Sequence, residues 1–407
     1  MRTLRNLLLF ILSFLIITNW NIAKAKTNPP TVSAEGAILM DATTGEILFQ
    51  KNINKPFPPA STTKIMTALL AFENTKLDDV VVVGKKPPFA DGSKIYIFEG
   101  ENIIVKDLLY ALLLESANDT AEALAEHISG SVEEFSKLMN KRAKELGCEN
   151  TNFVNPSGLY DGKHRTSAKD LALIMRELVK YPEYIEIATS LSYKIDPTNK
   201  SKEGRPLWNK NKLIQKYSSY YYDGIEGGKT GYTVQSQHSY VASAQRNGHR
   251  LVAALIYDKN KTYFEDTINL FNYGFNNFSL IKMFKKGDVV TEYNEKNLNI
   301  KLKASEDFYY IKEKTSSDNA IFTLENKDLS SQSFIKDEKV LNASIFYKDK
   351  DLGTLPLLSD SDHIIKADAT AQAMSKFSKT TVTILSILIT LITIASIIIV
   401  RNRKLRL

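Results

Sequence analysis

The 407-residue chain carries a formal net charge of +7. Arg2, Arg5 and Lys24 at one end and Arg401, Arg403, Lys404 and Arg406 at the other account for it, because neither terminal stretch, 1–25 or 401–407, holds an acid. The body is therefore charge-balanced, which leaves no whole-domain electrostatic case for a nucleic-acid partner, and the single cysteine, Cys148, excludes an intramolecular disulfide, so stability has to come from packing.

Taken in chain order, Arg2 and Arg5 precede an apolar run from Leu7 to Ile17, and Ala23-Lys24-Ala25 supplies a small-x-small cleavage pattern. This predicts a signal peptide over 1–25; the run falls short of the ~20 residues that a membrane span needs. Residues 36–40 and 46–49 flank the glycine-containing stretch 41–45, a hairpin pattern. Helices are expected over 64–73, 105–115, 120–128, 132–146 and 168–180. Residues 239–244 and 250–256 flank Arg246-Asn247-Gly248 and predict a second antiparallel hairpin. Strands from both ends with helices between them imply a mixed α/β (α+β) domain over 30–277, an antiparallel sheet with helical layers. Over 279–358 the composition shifts to short alternating runs. Leu298, Ile300 and Leu302 there alternate with Asn299, Lys301 and Lys303, as in a half-exposed strand of a smaller β-rich domain. Polar, alanine-rich residues 359–379 read as a stalk. The stretch from Thr381 to Val400 has no charge and is followed at once by cations. It predicts a transmembrane helix over 380–400 with a cytoplasmic basic tail, 401–407, and the body outside.

Three short strings carry the chemistry: Ser61-Thr62-Thr63-Lys64, Ser116-Ala117-Asn118 and Lys229-Thr230-Gly231. After Pro58-Pro59, Ser61 is expected to open an amphipathic helix, where backbone N–H groups are unpaired and the dipole favours developing negative charge. Lys64, one turn on, faces the same way. It can act as a base only if its pKa of about 10.4 falls by roughly three units, equivalent to about 4 kcal/mol. Burial and a second cation can do that, and Lys229 is the obvious second cation. Ser116-Ala117-Asn118 is expected in a loop between two helices, where a hydroxyl and an amide can relay a proton and hold a peptide carbonyl. Gly231 would let another backbone or a ligand approach its strand closely. Each string alone is common, an N-capping serine or a surface lysine. In this order and behind a secretion signal they resemble the trio of penicillin-binding proteins and class A β-lactamases, and that resemblance implies a serine nucleophile with lysine in place of histidine.

Other hydrolase classes fit poorly. His127, His164, His238, His249 and His363 have no zinc-ligand spacing, and there is no Gly-x-Ser-x-Gly elbow, so no metal and no organic cofactor is expected. Cys148 reads as a packing residue.

In these strings, and in the stretches 59–67, Ser116-Ala117-Asn118-Asp119 and Asn155-Pro156-Ser157-Gly158-Leu159, the chain resembles the serine-type D-alanyl-D-alanine carboxypeptidases, low-molecular-mass penicillin-binding proteins, over about 34–275. The resemblance implies a β-lactamase/transpeptidase-like fold and an acyl-enzyme route on peptidoglycan stem peptides. Ser61 would attack between two D-alanines, Lys64 take its proton, Ser116 help protonate the leaving amine, and water free the peptide. It further implies an oxyanion hole of the Ser61 and Tyr232 N–H groups, Asn118 on the substrate backbone, Lys229 and Thr230 at the terminal carboxylate beside Gly231, and β-lactams acylating the same serine. Lys210 matches a position where relatives carry arginine; lysine keeps the charge and loses the bidentate fork. The chain departs from the family pattern at Ser236-Gln237-His238 and at Lys261-Thr262-Tyr263-Phe264, where many relatives carry an arginine. Alternatives sharing these groups are a D,D-endopeptidase, a β-lactamase, and a membrane-tethered sensor or scaffold of weak turnover.

Overall fold

The computed structural model describes residues 28–365 and 369–404; the expected signal peptide lies outside them. The chain divides into two compact units, Met1–Ile281 with Tyr309–Ser317, and Lys282–Phe308 with Asp318–Leu407. The strands are β1 Gly36–Asp41, β2 Ile47–Lys51, β3 Val80–Val82, β4 Asn102–Ile104, β5 Ser192–Ile195, β6 Arg205–Trp208, β7 Ile225–Thr233, β8 Gln237–Arg246, β9 His249–Asp258, β10 Phe278–Phe284, β11 Val289–Glu295, β12 Leu298–Ala304, β13 Phe308–Glu313, β14 Ile321–Leu324, β15 Lys339–Tyr347 and β16 Lys350–Ser359.

The first unit is built on a five-stranded antiparallel sheet ordered β2-β1-β9-β8-β7. Both expected hairpins, β1-β2 and β8-β9, are in it. Side chains alternate across a strand, and here both faces are covered. Ile38 and Met40 of β1, with Val252, Ala254 and Ile256 of β9, pack against the helices Lys64–Asn74 and Ala168–Leu178 through Ile65, Leu69, Leu171 and Met175. Ala37, Leu39, Leu251, Ala253 and Leu255 face the other way, onto Leu270 and Phe271 of the helix Tyr263–Asn277. The central strands therefore read as continuous apolar runs.

Two details set up the site. The helix Lys64–Asn74 is buried continuously from Lys64 to Ala71, so it is a central core helix and not the amphipathic one expected; no stripe of its first two turns meets water. The helix Val105–Tyr110 widens into a π-helical turn, Ala111–Glu115, and stops at Ser116, which is left-handed at φ 62°. Asn118 begins the next helix, Asn118–Ser129, and does not sit in the connecting loop. Two helices outside the expected set, Pro182–Thr189 and Tyr263–Asn277, complete the layers.

The second unit is a five-stranded sheet ordered β11-β12-β16-β15-β14 around Leu302, Leu341, Ile345 and Leu355. In β12, Leu298, Ile300 and Leu302 are buried while Asn299 and Lys301 are exposed, the alternation read from the sequence. Further on, Phe334 pairs with His363 as an isolated bridge. The helix Ala369–Lys404 follows, and its segment Lys379–Arg401 is long and apolar enough to cross a membrane, with its apolar side chains exposed.

Phe271 is fully buried between helix Tyr263–Asn277 and the sheet. Phe271→Ala is expected to cost about 3–5 kcal/mol, read as a lowered denaturant midpoint at unchanged slope.

Candidate active site

Ser61 lies in the single 3-10 turn Ala60–Thr63 that leads into the core helix. As a first-turn residue its N–H has no acceptor within the helix. The preceding residue, Ala60, is left-handed at φ 50°, a strained conformation for a residue with a Cβ. Gly158, itself at φ 85°, makes this turn possible: a Cβ there would collide with the Ala60 carbonyl and would lie 2.8 Å from Thr63 Oγ1.

Lys64 has no exposed surface. Its Nζ donates to Asn118 Oδ1 at 2.6 Å and to the Ser157 carbonyl at 2.6 Å, and stands 3.1 Å from Ser61 Oγ. A neutral amine has two N–H bonds and one lone pair. In that neutral form the two strong acceptors would take both N–H bonds, and the lone pair would be left on the side of Ser61 Oγ. Burial holds the Lys64 pKa well below the ordinary lysine value; Lys229 lowers it further, and buried Asp119 opposes both. The second cation named from the sequence is thus the one that acts on Lys64.

The Asn118 side chain is engaged on both ends, since its Nδ2 donates to the Asp91 carbonyl. Its backbone N–H donates to the Ser93 carbonyl at 2.6 Å. Asp119 accepts from the N–H groups of Ile95 at 3.0 Å and Ile97 at 3.3 Å. Together these two residues pin the segment that places Ser93 in the cleft. Ser116 also faces the cleft, and no hydrogen bond joins it to Ser61 or Lys64.

Strand β7 forms the opposite wall. At Gly231 a Cβ would lie 2.8 Å from the Pro59 carbonyl, 2.9 Å from Ser61 N and 3.0 Å from Thr62 N, so only glycine lets the strand lie against the Ser61 turn. Lys229 is buried, donates to the Thr230 carbonyl at 2.9 Å, and is pushed down to about 7 by burial and then by Lys210. The cleft between these walls measures about 640 Å³ and is lined by Ser61, Ser93, Ser116, Lys210, Thr230, Gly231, Tyr232, His238, Lys261 and Tyr263. Lys210 is tied to Glu115 at 2.8 Å. At one end the rings of Tyr232, His238 and Tyr263 stack in series, with centroids 4.5 and 5.6 Å apart.

Comparison with known families matches residues 23–260 to D-alanyl-D-alanine carboxypeptidase, more than half of the chain, and residues 278–363 to the C-terminal domain of penicillin-binding protein 5. The chain belongs to the D-alanyl-D-alanine carboxypeptidase family. It is 32% identical to the D-alanyl-D-alanine carboxypeptidase DacF of Bacillus subtilis over 85% of this chain and 87% of that one. Among solved structures it resembles penicillin-binding protein 5 of Haemophilus influenzae at 30% identity and a TM-score of 0.70, covering 83% of this chain and 99% of that one. A peptidoglycan synthesis regulatory factor of Streptococcus pneumoniae matches at 27% identity and a TM-score of 0.64, over 82% of this chain and all of that one. The fold is that of the low-molecular-mass penicillin-binding proteins, and the activity class is serine D,D-carboxypeptidase.

Of the residues expected at the site in this carboxypeptidase, Ser61, Ser116, Lys210 and residues 230–232 line the cleft, whereas Lys64, Asn118 and Lys229 are buried and do not line it. The structure adds residues that the sequence reading did not assign to the site. Ser93 was invisible because only the grip of Asn118 and Asp119 brings it there. Ser157 contributes a backbone carbonyl, which no side-chain pattern reveals. In the sequence His238, Lys261 and Tyr263 stand out only as departures from the family pattern.

Because β7 touches the Ser61 turn without a side chain between them, Gly231→Ala must push strand and turn apart. D-alanine release from a D-alanyl-D-alanine peptide is expected to fall by up to about 10²-fold for an ångström of displacement, with the far-UV spectrum unchanged.

Proposed function

We propose that the protein removes the terminal D-alanine from peptidoglycan stem pentapeptides through an acyl-enzyme on Ser61, and that β-lactams acylate the same oxygen. The observation that carries this reading is the state of Lys64: buried, depressed in pKa, with two acceptors for its N–H bonds and Ser61 Oγ at 3.1 Å. Ser61 Oγ attacks the carbonyl between the two D-alanines as its proton passes to Lys64 Nζ. Negative charge then develops on the carbonyl oxygen, beside the N–H groups of Ser61 and Tyr232 on the two walls that Gly231 allows to meet. The hydroxyl of Ser116, which lines the same cleft, passes a proton to the leaving amine in this reading. Water then attacks the acyl carbonyl and restores the serine.

In this reading Asn118 acts chiefly by holding Lys64, its carbonyl oxygen being that lysine's acceptor, and its remaining N–H is left for the substrate backbone. Thr230, Lys229 and Lys210 supply hydroxyl and positive charge at the carboxylate end. The leader directs export, and the helix through Lys379–Arg401 tethers the enzyme with its catalytic unit outside the cell membrane.

Labelled penicillin tests the assignment: a covalent adduct is expected on the wild-type chain and none on Ser61→Ala or Lys64→Ala. Release of D-alanine from a pentapeptide should follow the same pattern. An adduct without release would instead make the protein a penicillin-binding sensor. Truncation before Thr381 is expected to give a soluble enzyme that keeps both activities, and their loss in a folded truncated protein would show that the tether does more than hold it in place.

A further inference from the structure

Behind the nucleophile turn, on the side away from β7, lies a buried chain of hydrogen bonds whose proton positions can be assigned. The Val154 N–H points at His164 Nδ1 at 3.2 Å. An amide N–H can only donate, so Nδ1 carries a lone pair and the proton of the neutral ring sits on Nε2. Nε2 is 2.9 Å from Thr63 Oγ1 and therefore donates to it; Thr63 Oγ1 in turn donates to the Ala60 carbonyl at 2.8 Å. His164 and Thr63 have essentially no exposed surface. Burial, the largest influence, pushes the imidazole down to about 4, with Lys64 and Arg165 acting in the same direction and Asp161 against it. The neutral tautomer therefore persists at neutral pH. The far end is anchored as well: Asn140 accepts from the Phe153 N–H at 2.7 Å and donates to the Phe153 carbonyl at 2.8 Å, and the Phe153 ring meets the His164 ring edge-on at 5.5 Å.

The carbonyl at the near end belongs to the Ala60–Ser61 peptide, and that peptide's N–H is the Ser61 N–H. A trans peptide is planar, with C=O and N–H on opposite sides, so fixing one direction fixes the other. Ala60 is at φ 50°, a conformation that an L-residue does not keep without outside support. On the opposite side of the peptide, Ser61 N lies against β7.

We propose that His164 and Thr63 are positioning residues for oxyanion stabilisation: their directed hydrogen bonds hold the Ala60–Ser61 peptide plane, and with it the Ser61 N–H, aimed into the cleft. Neither residue touches the substrate. The proposal rests on the reading above, in which Ser61 is the nucleophile and its N–H half of the oxyanion hole.

Thr63→Val in the full-length chain removes the hydroxyl and keeps the shape; Thr63→Ser restores the hydroxyl; His164→Phe removes the donor. Expected for Thr63→Val and His164→Phe are full stoichiometric labelling by fluorescent penicillin at a rate constant lowered roughly ten- to a hundred-fold, below the 10²–10³ that deleting an oxyanion donor costs. With a D-alanyl-D-alanine peptide, kcat is expected to fall at unchanged KM, because the contact matters only in the transition state. Thr63→Ser is expected to recover to within a few-fold of wild type. Wild-type rate constants in Thr63→Val overturn the proposal. So does a loss confined to labelling stoichiometry and melting temperature, which would mark a purely structural role. Ser61→Ala is run alongside: an adduct on that variant overturns the site reading itself, whereas its absence together with a full-rate Thr63→Val overturns only the role of the relay.

Discussion

The structure depends on keeping an amine dry. A lysine with no exposed surface is costly as an ammonium, so the fold must supply it with hydrogen-bond acceptors and must also favour its neutral form. Both are done by ordinary packing. From Lys64 to Ala71 the helix is buried continuously in the core, so desolvation needs no special device. The Ser157 carbonyl and the Asn118 amide come from separate segments and converge on Nζ, which ties the local fold to the protonation state. Asp119 stands next to Asn118 and pulls the pKa upward. Its own carboxyl is pushed up by burial, although backbone N–H groups partly compensate.

Around that lysine the backbone is held in conformations it would not choose alone. Ala60 and Ser116 are left-handed residues with side chains, one directly before Ser61 and one at the end of a π-helical turn. Each costs on the order of 1–3 kcal/mol, and such strain survives only where the surroundings over-determine it. At Ala60 the surroundings are visible: glycine at 158 leaves room for the carbonyl, Thr63 binds it, and glycine at 231 lets β7 close from the other side. Glycines and strain here are two aspects of one requirement, that three backbone segments meet within van der Waals distance.

How much of this was legible beforehand follows from the range of the interactions. The hairpins, the helix following Ser61 and the alternation of β12 are set by local patterns and were readable. The helix Tyr263–Asn277 was not assigned, because its aromatic residues lack strong helix propensity and owe their conformation to packing on the sheet. The amphipathic expectation for the helix at 64–73 failed for a related reason: its fully buried polar residues, Lys64 and Thr67, are satisfied inside the protein by the Ser157 and Pro156 carbonyls and so tolerate burial. The cleft residues that belong to short motifs, Ser61, Ser116 and residues 230–232, are legible in the sequence. The Ser157 carbonyl beside Lys64, Ser93 in the cleft and the contact of His164 with Thr63 are not, since they exist only after distant segments meet.

The departures from the family pattern also acquire physical content. His238 stands directly across from Tyr232 in the β7-β8 hairpin, so the stacked rings follow from strand register. Burial, and then Lys261, lower the pKa of His238, and Asp258 opposes them. Lys261 comes off a turn held by buried Asp258, which accepts from the Asn260 and Thr262 N–H groups, and among the described residues it has no carboxylate partner. Lys210, by contrast, is held by Glu115. On the proposed reading, a substrate carboxylate entering this end meets separate ammonium groups and ring edges in place of a planar guanidinium fork. Point charges on flexible stems attract such a carboxylate but orient it weakly. On that reading, alignment of the scissile carbonyl falls more heavily on the backbone of β7 and on the turn that carries Ser61, which Gly231 lets lie against each other.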